Sequence, residues 1–232
     1  MTTTALVTGA ARGFGLALTR ALVTRGDTVV VDGRDAAALH AATDLPGPGR
    51  VVAVPGDLTD AAHRGALHSA VRTAGGLGPS SPALCTSRSS PLPRLADLQL
   101  HSLAAVFETN VFAPLALTRL LLPALRTARA PAVVTLSSDA AVEAYPGWGG
   151  YGASKAALDQ LAAVLGVEEP AVRVYAFDPG DMRTAMHQRA FPGEDISDRA
   201  EPETVVPALL RLLADRPDSG RYRAADLLEE AR

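Results

Sequence analysis

The chain has 232 residues, of which 47% are hydrophobic and 20% charged, and its formal net charge at pH 7 is −3. This length and apolar content suit one α/β domain over residues 1–232, with a sizeable buried core. Because Arg and Lys are dispersed, the charge pattern offers no binding surface for nucleic acid or an anionic membrane, and a small-molecule partner is expected.

A glycine-rich turn follows the first apolar run. Residues 8–15 read Thr-Gly-Ala-Ala-Arg-Gly-Phe-Gly, between a strand-like and a helix-like run. Gly9 permits a tight turn, Gly13 lets the backbone approach a pyrophosphate, and Gly15 lets the helix pack closely on the strand. The N–H groups at the start of the helix would then face the anion. The pattern predicts a dinucleotide site at the start of the chain.

Strand-like and helix-like runs alternate along the chain. The strand-like runs are Ala5–Val7, Thr28–Val31, Val51–Val54, Ala132–Leu136 and Val172–Phe177. The helix-like runs are Leu16–Arg25, Asp35–Thr43, Ala61–Thr73, Leu98–Arg126 and Gly152–Leu165. This alternation predicts an α/β fold of the Rossmann type, in which helices cover both faces of a doubly wound parallel sheet.

Two segments depart from the simple alternation. A fourth strand is expected before the longest helix, but residues 75–93 are rich in Gly, Pro and Ser, and only Ala83–Thr86 could pair there. Residues 188–202 are rich in charge and also contain proline and glycine. They are typical of a mobile loop or a small helical lid over a substrate site rather than of sheet.

Four polar residues are candidates for chemistry. Tyr151 and Lys155 are four positions apart in a helix-like run, which places the phenol and the ammonium one turn apart on one face. Because the pKa of tyrosine is ordinarily about 10, a cation that favours the phenolate would suit Tyr151 to acid–base catalysis. A hydroxyl of Ser137 or Ser138, at the carboxyl end of a strand, could hold a substrate oxygen. Asn110 could organise a water or a carbonyl near Lys155, or simply satisfy a buried carbonyl.

These motifs together resemble the short-chain dehydrogenase/reductase family over nearly the whole chain. The family's Thr-Gly-x-x-x-Gly-x-Gly matches residues 8–15, and its Tyr-x-x-x-Lys matches Tyr151 and Lys155. Its catalytic serine lies thirteen positions before the tyrosine, which selects Ser138 rather than Ser137. Its helix asparagine matches Asn110. The resemblance implies a catalytic set made of Asn110, Ser138, Tyr151 and Lys155.

The resemblance also implies a set of cofactor-binding residues. Asp57 would face the adenine amino group, and the Pro-Gly turn with the following Thr184 would clamp the nicotinamide. The implied cofactor-binding residues are Gly9, Arg12, Gly13, Phe14, Gly15, Arg34, Asp57, Leu58, Tyr151, Lys155, Pro179, Gly180, Met182 and Thr184.

The end of the second strand distinguishes the two nicotinamide dinucleotides. An acidic residue there accepts from the ribose hydroxyls and repels a 2′-phosphate, whereas an arginine pairs with that phosphate. By register with the family, Asp32 falls one place early, Gly33 takes the acidic position, and Arg34 matches the arginine of NADP-preferring members. Arg12 could add a second positive charge. NADP(H) is therefore expected as the preferred cofactor, with NAD(H) as the alternative because Asp32 could still reach the ribose.

Two functions follow from these observations. The first is an NADP(H)-dependent oxidoreductase that interconverts a carbonyl and a secondary alcohol by hydride transfer, working as a homodimer or homotetramer as the family implies. The second is a catalytically weakened dinucleotide-binding or regulatory protein on the same fold. This alternative is based on Cys85–Arg88, which lies where the family usually has Asn-Asn-Ala-Gly. The larger side chain of Arg88 at the glycine position could crowd the cofactor.

Other features exclude further functions. The only cysteine, Cys85, cannot form an intrachain disulfide or a cysteine-based zinc site. No signal-peptide pattern opens the chain, and apolar runs such as Leu120–Leu122 are too short to span a bilayer, so we expect a cytoplasmic protein. The histidines lack a metal-ligand spacing, and we expect no metal site and a surface position for all of them. They are His40, His63, His68, His101 and His187.

Overall fold

The computed structural model describes residues 3–41, 43–76, 83–84 and 93–229, with the backbone alone at 83–84. The described strands are β1 (Thr4–Val7), β2 (Thr28–Gly33), β3 (Arg50–Pro55), β4 (Ala83–Leu84), β5 (Ala132–Leu136), β6 (Arg173–Asp178) and β7 (Gly220–Arg223). The described helices are α1 (Gly13–Thr24), α2 (Ala36–Ala41), α3 (Ala61–Thr73), α4 (Leu100–Phe107), α5 (Ala113–Thr127), α6 (Gly149–Glu168), α7 (Ala185–Ala190), α8 (Pro202–Asp215) and α9 (Ala224–Glu229).

Every described strand pair is parallel. The strands follow the order β3-β2-β1-β4 in one sheet and β5-β6-β7 in a second, and β4 lies beside β5. β4 pairs with β1 through Ala83 and Leu84, which confirms the first half of the predicted run Ala83–Thr86. The second half lies outside the described residues. The predicted doubly wound α/β fold is confirmed.

Helices cover both faces of the sheet, as the fully buried β2 requires. Side chains alternate along a strand, so Val29 and Val31 enter one apolar cluster and Val30 enters the other. The first cluster contains side chains of α1, α8 and α9, and the second those of α3, α5 and α6. The carboxyl ends of the strands are thereby held between two packed layers.

A long apolar helical run, Leu100–Thr127, contains α4 and α5. By length and composition alone it could cross a membrane, and among the described helices no other passes that test. One of its faces, with Leu117, Leu121 and Leu125, is buried in the second core cluster beside Leu6. This packing accounts for the apolar residues of that face. A π-helical segment, Glu108–Phe112, joins α4 to α5.

Two predicted boundaries shift toward the ligand-binding edge. α1 begins at Gly13 rather than Leu16, so its first turn is part of the glycine-rich turn itself. α6 begins at Gly149 rather than Gly152. The predicted lid, residues 188–202, starts inside α7 and ends at the first residue of α8. An isolated parallel bridge joins Met182 to Ala200.

Candidate active site

A cavity of about 1050 Å³ opens at the carboxyl ends of the strands. It is lined by the glycine-rich turn, the ends of β2 and β3, the serines after β5, the start of α6 and the turn after β6. Of all the site residues predicted from the sequence, only Asn110 does not line it. The fold therefore brings together predicted site residues that are up to 175 positions apart in the sequence, from Gly9 to Thr184.

The glycine-rich turn has the geometry of an anion cradle. Gly9 and Gly13 have φ angles of 67° and 55°, which favour glycine. A Cβ on Gly15 would lie 2.6 Å from the carbonyl oxygen of Gly9, so the helix can approach the turn only because position 15 is glycine. The N-cap residue of α1, Arg12, makes no side-chain cap to the helix. The first N–H groups of α1 therefore point toward the cavity without a capping side chain.

Two further observations fit a dinucleotide at this turn. The hydroxyl oxygen of Thr8 is buried and has no hydrogen-bond partner among the described residues. A buried polar atom of this kind is normally satisfied, and a bound ligand would satisfy it. Phe14 is also a predicted cofactor-binding residue. Its ring is buried and stacks on Phe177, with 6.0 Å between ring centroids. Only the backbone of Phe14 is therefore available to an anion.

The end of β2 holds a buried carboxylate. Asp32 is 3% exposed, and one of its oxygens accepts a hydrogen bond of 2.6 Å from the backbone N–H of Gly9. Its other oxygen lies 3.2 Å from Nε2 of His63, on α3. Each oxygen of Asp32 therefore already has one hydrogen-bond partner.

The neighbouring residues leave this edge open and basic. At Gly33 a Cβ would lie 3.2 Å from the Cβ of Ala11, so a larger side chain there would be crowded by the glycine-rich turn. Arg34 is exposed and forms no ion pair with any described residue. Arg12 lies 3.7 Å from Asp35, and both side chains are more than half exposed. Two guanidinium groups thus flank the cavity beside Gly33.

The turn after β3 is held by its own side chains. The Oδ1 atom of Asp57 accepts hydrogen bonds from the backbone N–H and the hydroxyl of Thr59, at 3.0 and 2.8 Å. The carbonyl of Leu58 accepts a 2.7 Å hydrogen bond from Arg64. Asp60 caps α3 by accepting from the N–H of Ala62. These contacts fix a rigid turn at the cavity wall.

Lys155 and Tyr151 lie at the centre of the cavity wall. Lys155 is the only lysine in the chain and is 2% exposed. Its ammonium donates a 2.7 Å hydrogen bond to the carbonyl of Leu136 and lies 5.6 Å from the centroid of the Tyr151 ring. The Tyr151 ring is buried against the edge of Trp148, with 5.4 Å between ring centroids. The cation is therefore held next to the phenol, as the four-residue spacing predicts.

The two serines after β5 have different environments. The hydroxyl of Ser137, a buried residue, donates a 2.6 Å hydrogen bond to Asp159. The hydroxyl of Ser138 accepts from the N–H of Ala140 and donates to Asp139 at 2.9 Å. Ser138 is half-buried and so the better placed of the two to meet a substrate.

Asn110 lies behind the cavity, in the π-helical segment. Its side-chain N–H donates a 2.9 Å hydrogen bond to the hydroxyl of Ser154, which in turn donates to the carbonyl of Tyr151 at 2.7 Å. Asn110 is 1% exposed. The structure therefore ties Asn110 to the first turns of α6, through Ser154, in addition to any role near Lys155.

Arg221, on β7, connects several parts of the site through contacts that the sequence does not predict. Its Nη2 atom donates to Asp178 at 2.7 Å and to the carbonyl of Ser138 at 3.1 Å. Its Nε atom lies 3.3 Å from both Asp159 and the hydroxyl of Ser137. Burial raises the pKa of Asp159, and the hydrogen bond from Ser137 and the nearby positive charges oppose that rise. The Oδ1 atom of Asp159 has no hydrogen-bond partner among the described residues.

Aromatic side chains line the outer part of the cavity. Trp148 contacts Phe191 with 5.6 Å between ring centroids, and Phe191 packs on His187 at 4.8 Å. The hydroxyl of Tyr145 donates to Glu143 and Asp139, at 2.8 and 3.0 Å, and these hydrogen bonds raise its pKa. All of these residues except Glu143 line the cavity.

Two predictions about histidines are wrong, because His63 and His187 are buried rather than at the surface. His63 belongs to the Asp32 contact and His187 to the aromatic wall. In the part of the chain that the structure describes, no group of three or more His, Cys, Asp or Glu residues has the arrangement of a metal site. The predicted departure at Cys85–Arg88 lies outside the described residues.

Comparison with known proteins identifies relatives of the whole fold. A family model described as short chain dehydrogenase matches residues 3–195. A benzil reductase, (S)-benzoin forming, from Saccharomyces cerevisiae is 30% identical, covering 97% of this chain and 84% of the relative. The sepiapterin reductase of Rattus norvegicus is 34% identical, covering 80% of this chain and 76% of the relative.

Solved structures of short chain dehydrogenases are also similar to this chain. A short chain dehydrogenase from Shigella flexneri complexed with NADP superposes with a TM-score of 0.88 at 26% identity, covering 96% of this chain and 97% of the other. One from Escherichia coli complexed with NADPH superposes with a TM-score of 0.84 at 27% identity, covering 96% of each chain.

Proposed function

The chain belongs to the short-chain dehydrogenase family of oxidoreductases, and we propose that it is an NADP(H)-dependent enzyme that interconverts a carbonyl and a secondary alcohol. One observation carries the proposal. Ser138, Tyr151 and Lys155 line the same cavity as the glycine-rich turn and the exposed guanidinium groups of Arg12 and Arg34. A proton donor, a cation and a basic phosphate edge therefore share one space.

Each catalytic side chain has a proposed role. When bound, the nicotinamide would supply the hydride that reduces the carbonyl carbon. Tyr151 donates a proton to the carbonyl oxygen, and Lys155 stabilises the negative charge left on the phenol oxygen and holds the ribose. Ser138 donates a hydrogen bond to the same carbonyl oxygen, for which its hydroxyl must turn away from Asp139. Asn110 supports a proton-relay water and, through Ser154, the turn that carries Tyr151.

The remaining predicted residues form the proposed cofactor site. The N–H groups of Gly13, Phe14 and Gly15 bind the pyrophosphate at the start of α1. Asp57 and Leu58 bind the adenine. The turn after β6 binds the nicotinamide through Pro179, Gly180, Met182 and Thr184. The glycine of that turn, Gly180, has a φ of 72°, which supports a tight turn at that point.

The proposed preference for NADP(H) rests on the end of β2. The carboxylate of Asp32 is occupied by Gly9 and His63, and Gly33 offers no side chain to ribose hydroxyls. Arg34 and Arg12 are the exposed cations beside that position. A 2′-phosphate would therefore meet the guanidinium groups of Arg34 and Arg12, the second of which also lies beside Asp35, whereas Gly33 offers a free ribose no carboxylate at the position that normally supplies one.

Reduction is the proposed direction, and the relatives named as reductases of benzil and sepiapterin support it. The aromatic wall of Trp148 and Phe191 favours an apolar substrate, and residues 188–202 are proposed as its lid. We further propose a cytoplasmic homodimer or homotetramer. The exposed side chains of Phe112 and Leu120 on the α4–α5 run and of Val164 on α6 would be covered in it.

Calorimetric titration of the protein with NADPH and with NADH, followed by turnover with a panel of aromatic and aliphatic ketones, tests the proposal. We expect tighter binding of NADPH and consumption of NADPH with at least one ketone. Failure of both dinucleotides to bind would overturn the enzyme proposal. Binding without turnover over the whole panel would instead favour the weakened dinucleotide-binding protein that Cys85–Arg88 suggested.

Replacement of Tyr151 by Phe separates binding from chemistry. We expect Tyr151→Phe to lower turnover by about a hundredfold or more, because the proton donor is lost, while the affinity for NADPH stays within a few fold. A variant with the turnover of the parent on any reduced ketone would show that the assigned acid is wrong.

A further inference from the structure

A buried carboxylate–imidazole pair lies under the adenosine end of the proposed cofactor site. Asp32 and His63 are 3% and 7% exposed, and 3.2 Å separates their Oδ2 and Nε2 atoms. Among the described residues no other side chain forms an ion pair or hydrogen bond with Asp32. Buried charges are normally paired, so His63 is the partner that makes the burial of this carboxylate tolerable.

The pair joins three parts of the cofactor site. Asp32 accepts the N–H of Gly9 through its side chain and the N–H of Ala10 through its backbone carbonyl, at 2.6 and 2.9 Å. On the other side, the ring of His63 lies flat against Gly56, where any Cβ would clash with the ring. The glycine-rich turn, the end of β2 and the turn that precedes Asp57 are therefore fastened to one another through two side chains.

The position of the pair also matters for charge. Asp32 lines the cavity one residue before Gly33, next to the arginines that would meet a 2′-phosphate. A carboxylate free to turn toward the ribose would repel that phosphate and offset the attraction of Arg34. The hydrogen bond between Nε2 of His63 and Oδ2 of Asp32 keeps the carboxylate directed toward α3 and away from the ribose.

We propose that His63 is a positioning residue that sets cofactor preference, by holding the carboxylate of Asp32 toward α3 so that a buried carboxylate at the end of β2 coexists with a 2′-phosphate. The inference rests on the proposed use of NADP(H). It explains why an acidic residue one place before the position that normally selects NAD(H) does not produce that selection here.

The test measures dissociation constants of NADPH and NADH for the intact protein, together with adenosine 2′,5′-bisphosphate and AMP as probes of the adenosine end alone. The variants are His63→Leu, which removes the hydrogen-bond donor, Asp32→Asn and the double variant. His68→Leu is the matched control, since His68 is on the same helix and forms no ion pair with Asp32 among the described residues. Unfolding midpoints are recorded for each protein.

We expect His63→Leu to lower the preference for NADPH over NADH by about tenfold, and to lower the preference for the bisphosphate over AMP in parallel, because the freed carboxylate can turn toward the 2′-phosphate. Asp32→Asn should keep or raise both preferences, and the double variant should return to the preference of the parent. His68→Leu should change neither ratio.

Other results would overturn the inference. If His63→Leu weakens NADPH and NADH equally, the pair serves the fold alone. If the double variant stays as impaired as His63→Leu, the freed carboxylate of Asp32 is not the cause. Should His63→Leu fail to fold, a loss of NADPH preference in Asp32→Asn would contradict the proposal. Failure of the proposed cofactor is seen separately, as a parent protein that does not prefer NADPH.

Discussion

Arg221 donates a hydrogen bond of 2.7 Å to Asp178, the last residue of β6. The same guanidinium reaches the carbonyl of Ser138, so the strand nearest the C-terminus fastens the turn proposed for the nicotinamide to the serine proposed for the substrate. Asp178 is buried, and Arg221 is only partly exposed. The contact therefore holds the two loops in register.

Removal of this guanidinium is expected to cost stability and turnover. Arg221→Met leaves the carboxylate of Asp178 without its salt-bridge partner and removes one of the positive charges beside Asp159, and we expect a loss of about 3 kcal/mol in the free energy of unfolding. Chemical denaturation measures it. Arg221→Lys, which keeps the charge without the fork of donors, should lose less stability but still lose turnover. Equal stability of Arg221→Met and the parent would show that the cluster is not a clamp.

The buried carboxyl group of Asp159 should lower the free energy of unfolding as pH rises, which is opposite to the usual effect of a carboxyl group. Burial raises the pKa of Asp159 in the folded protein above the ordinary value of about 3.9 in the unfolded chain. Between those two values the folded state binds more protons. The contribution of Asp159 to stability is thus fully present below the unfolded pKa and is lost as pH rises through the folded pKa.

Asp159→Asn isolates this contribution, because the other carboxyl groups are common to both proteins. We expect the stability of the variant relative to the parent to improve as pH rises from about 4 toward neutrality. Urea denaturation of both proteins over that range measures the difference. A difference that is constant with pH, or one that changes in the opposite sense, would contradict a raised pKa at this residue.

Arg34 provides a test of the phosphate edge that is independent of the buried pair. The side chain is exposed and lines the cavity beside Gly33, so Arg34→Gln removes a charge without leaving a cavity in the core. We expect NADPH to bind about tenfold more weakly while NADH changes by less than a few fold. Arg72→Gln, on the exposed face of α3, is the matched control. Equal weakening of both dinucleotides would place the 2′-phosphate elsewhere.

The features that the sequence predicts well are those determined by local spacing. The turn at residues 8–15 needs left-handed backbone at Gly9 and Gly13, and only the order of glycines is required to predict it. Tyr151 and Lys155 meet because four residues make one helical turn. The choice of Ser138 depends on its distance from Tyr151 in the sequence, which is informative only through the family resemblance. In the structure, the neighbouring Ser137 differs from Ser138 because its hydroxyl donates a hydrogen bond to Asp159.

The contacts that the sequence could not predict join residues far apart in the chain. Asp32 and His63 are 31 positions apart, and Arg221 and Asp178 are 43 apart, so tertiary packing alone selects these partners. One feature of the sequence nevertheless indicates that His63 is buried. His63 lies four residues before Leu67 and eight before Val71, on the buried stripe of α3, and helical periodicity would have placed it in the core. A surface position for His63 was therefore the wrong expectation.

Lys155 gives a last prediction that depends on composition as well as on structure. It is the only lysine in the chain, so isotope-labelled reductive methylation reports on one side chain in addition to the N-terminal amine. Because the ammonium is 2% exposed and hydrogen-bonded to Leu136, we expect slow labelling that NADPH slows further. The N-terminal amine, which is labelled in the same sample, is the internal control. Rapid labelling of Lys155 that NADPH does not affect would show that this lysine does not contact the cofactor, and would remove it from the proposed site.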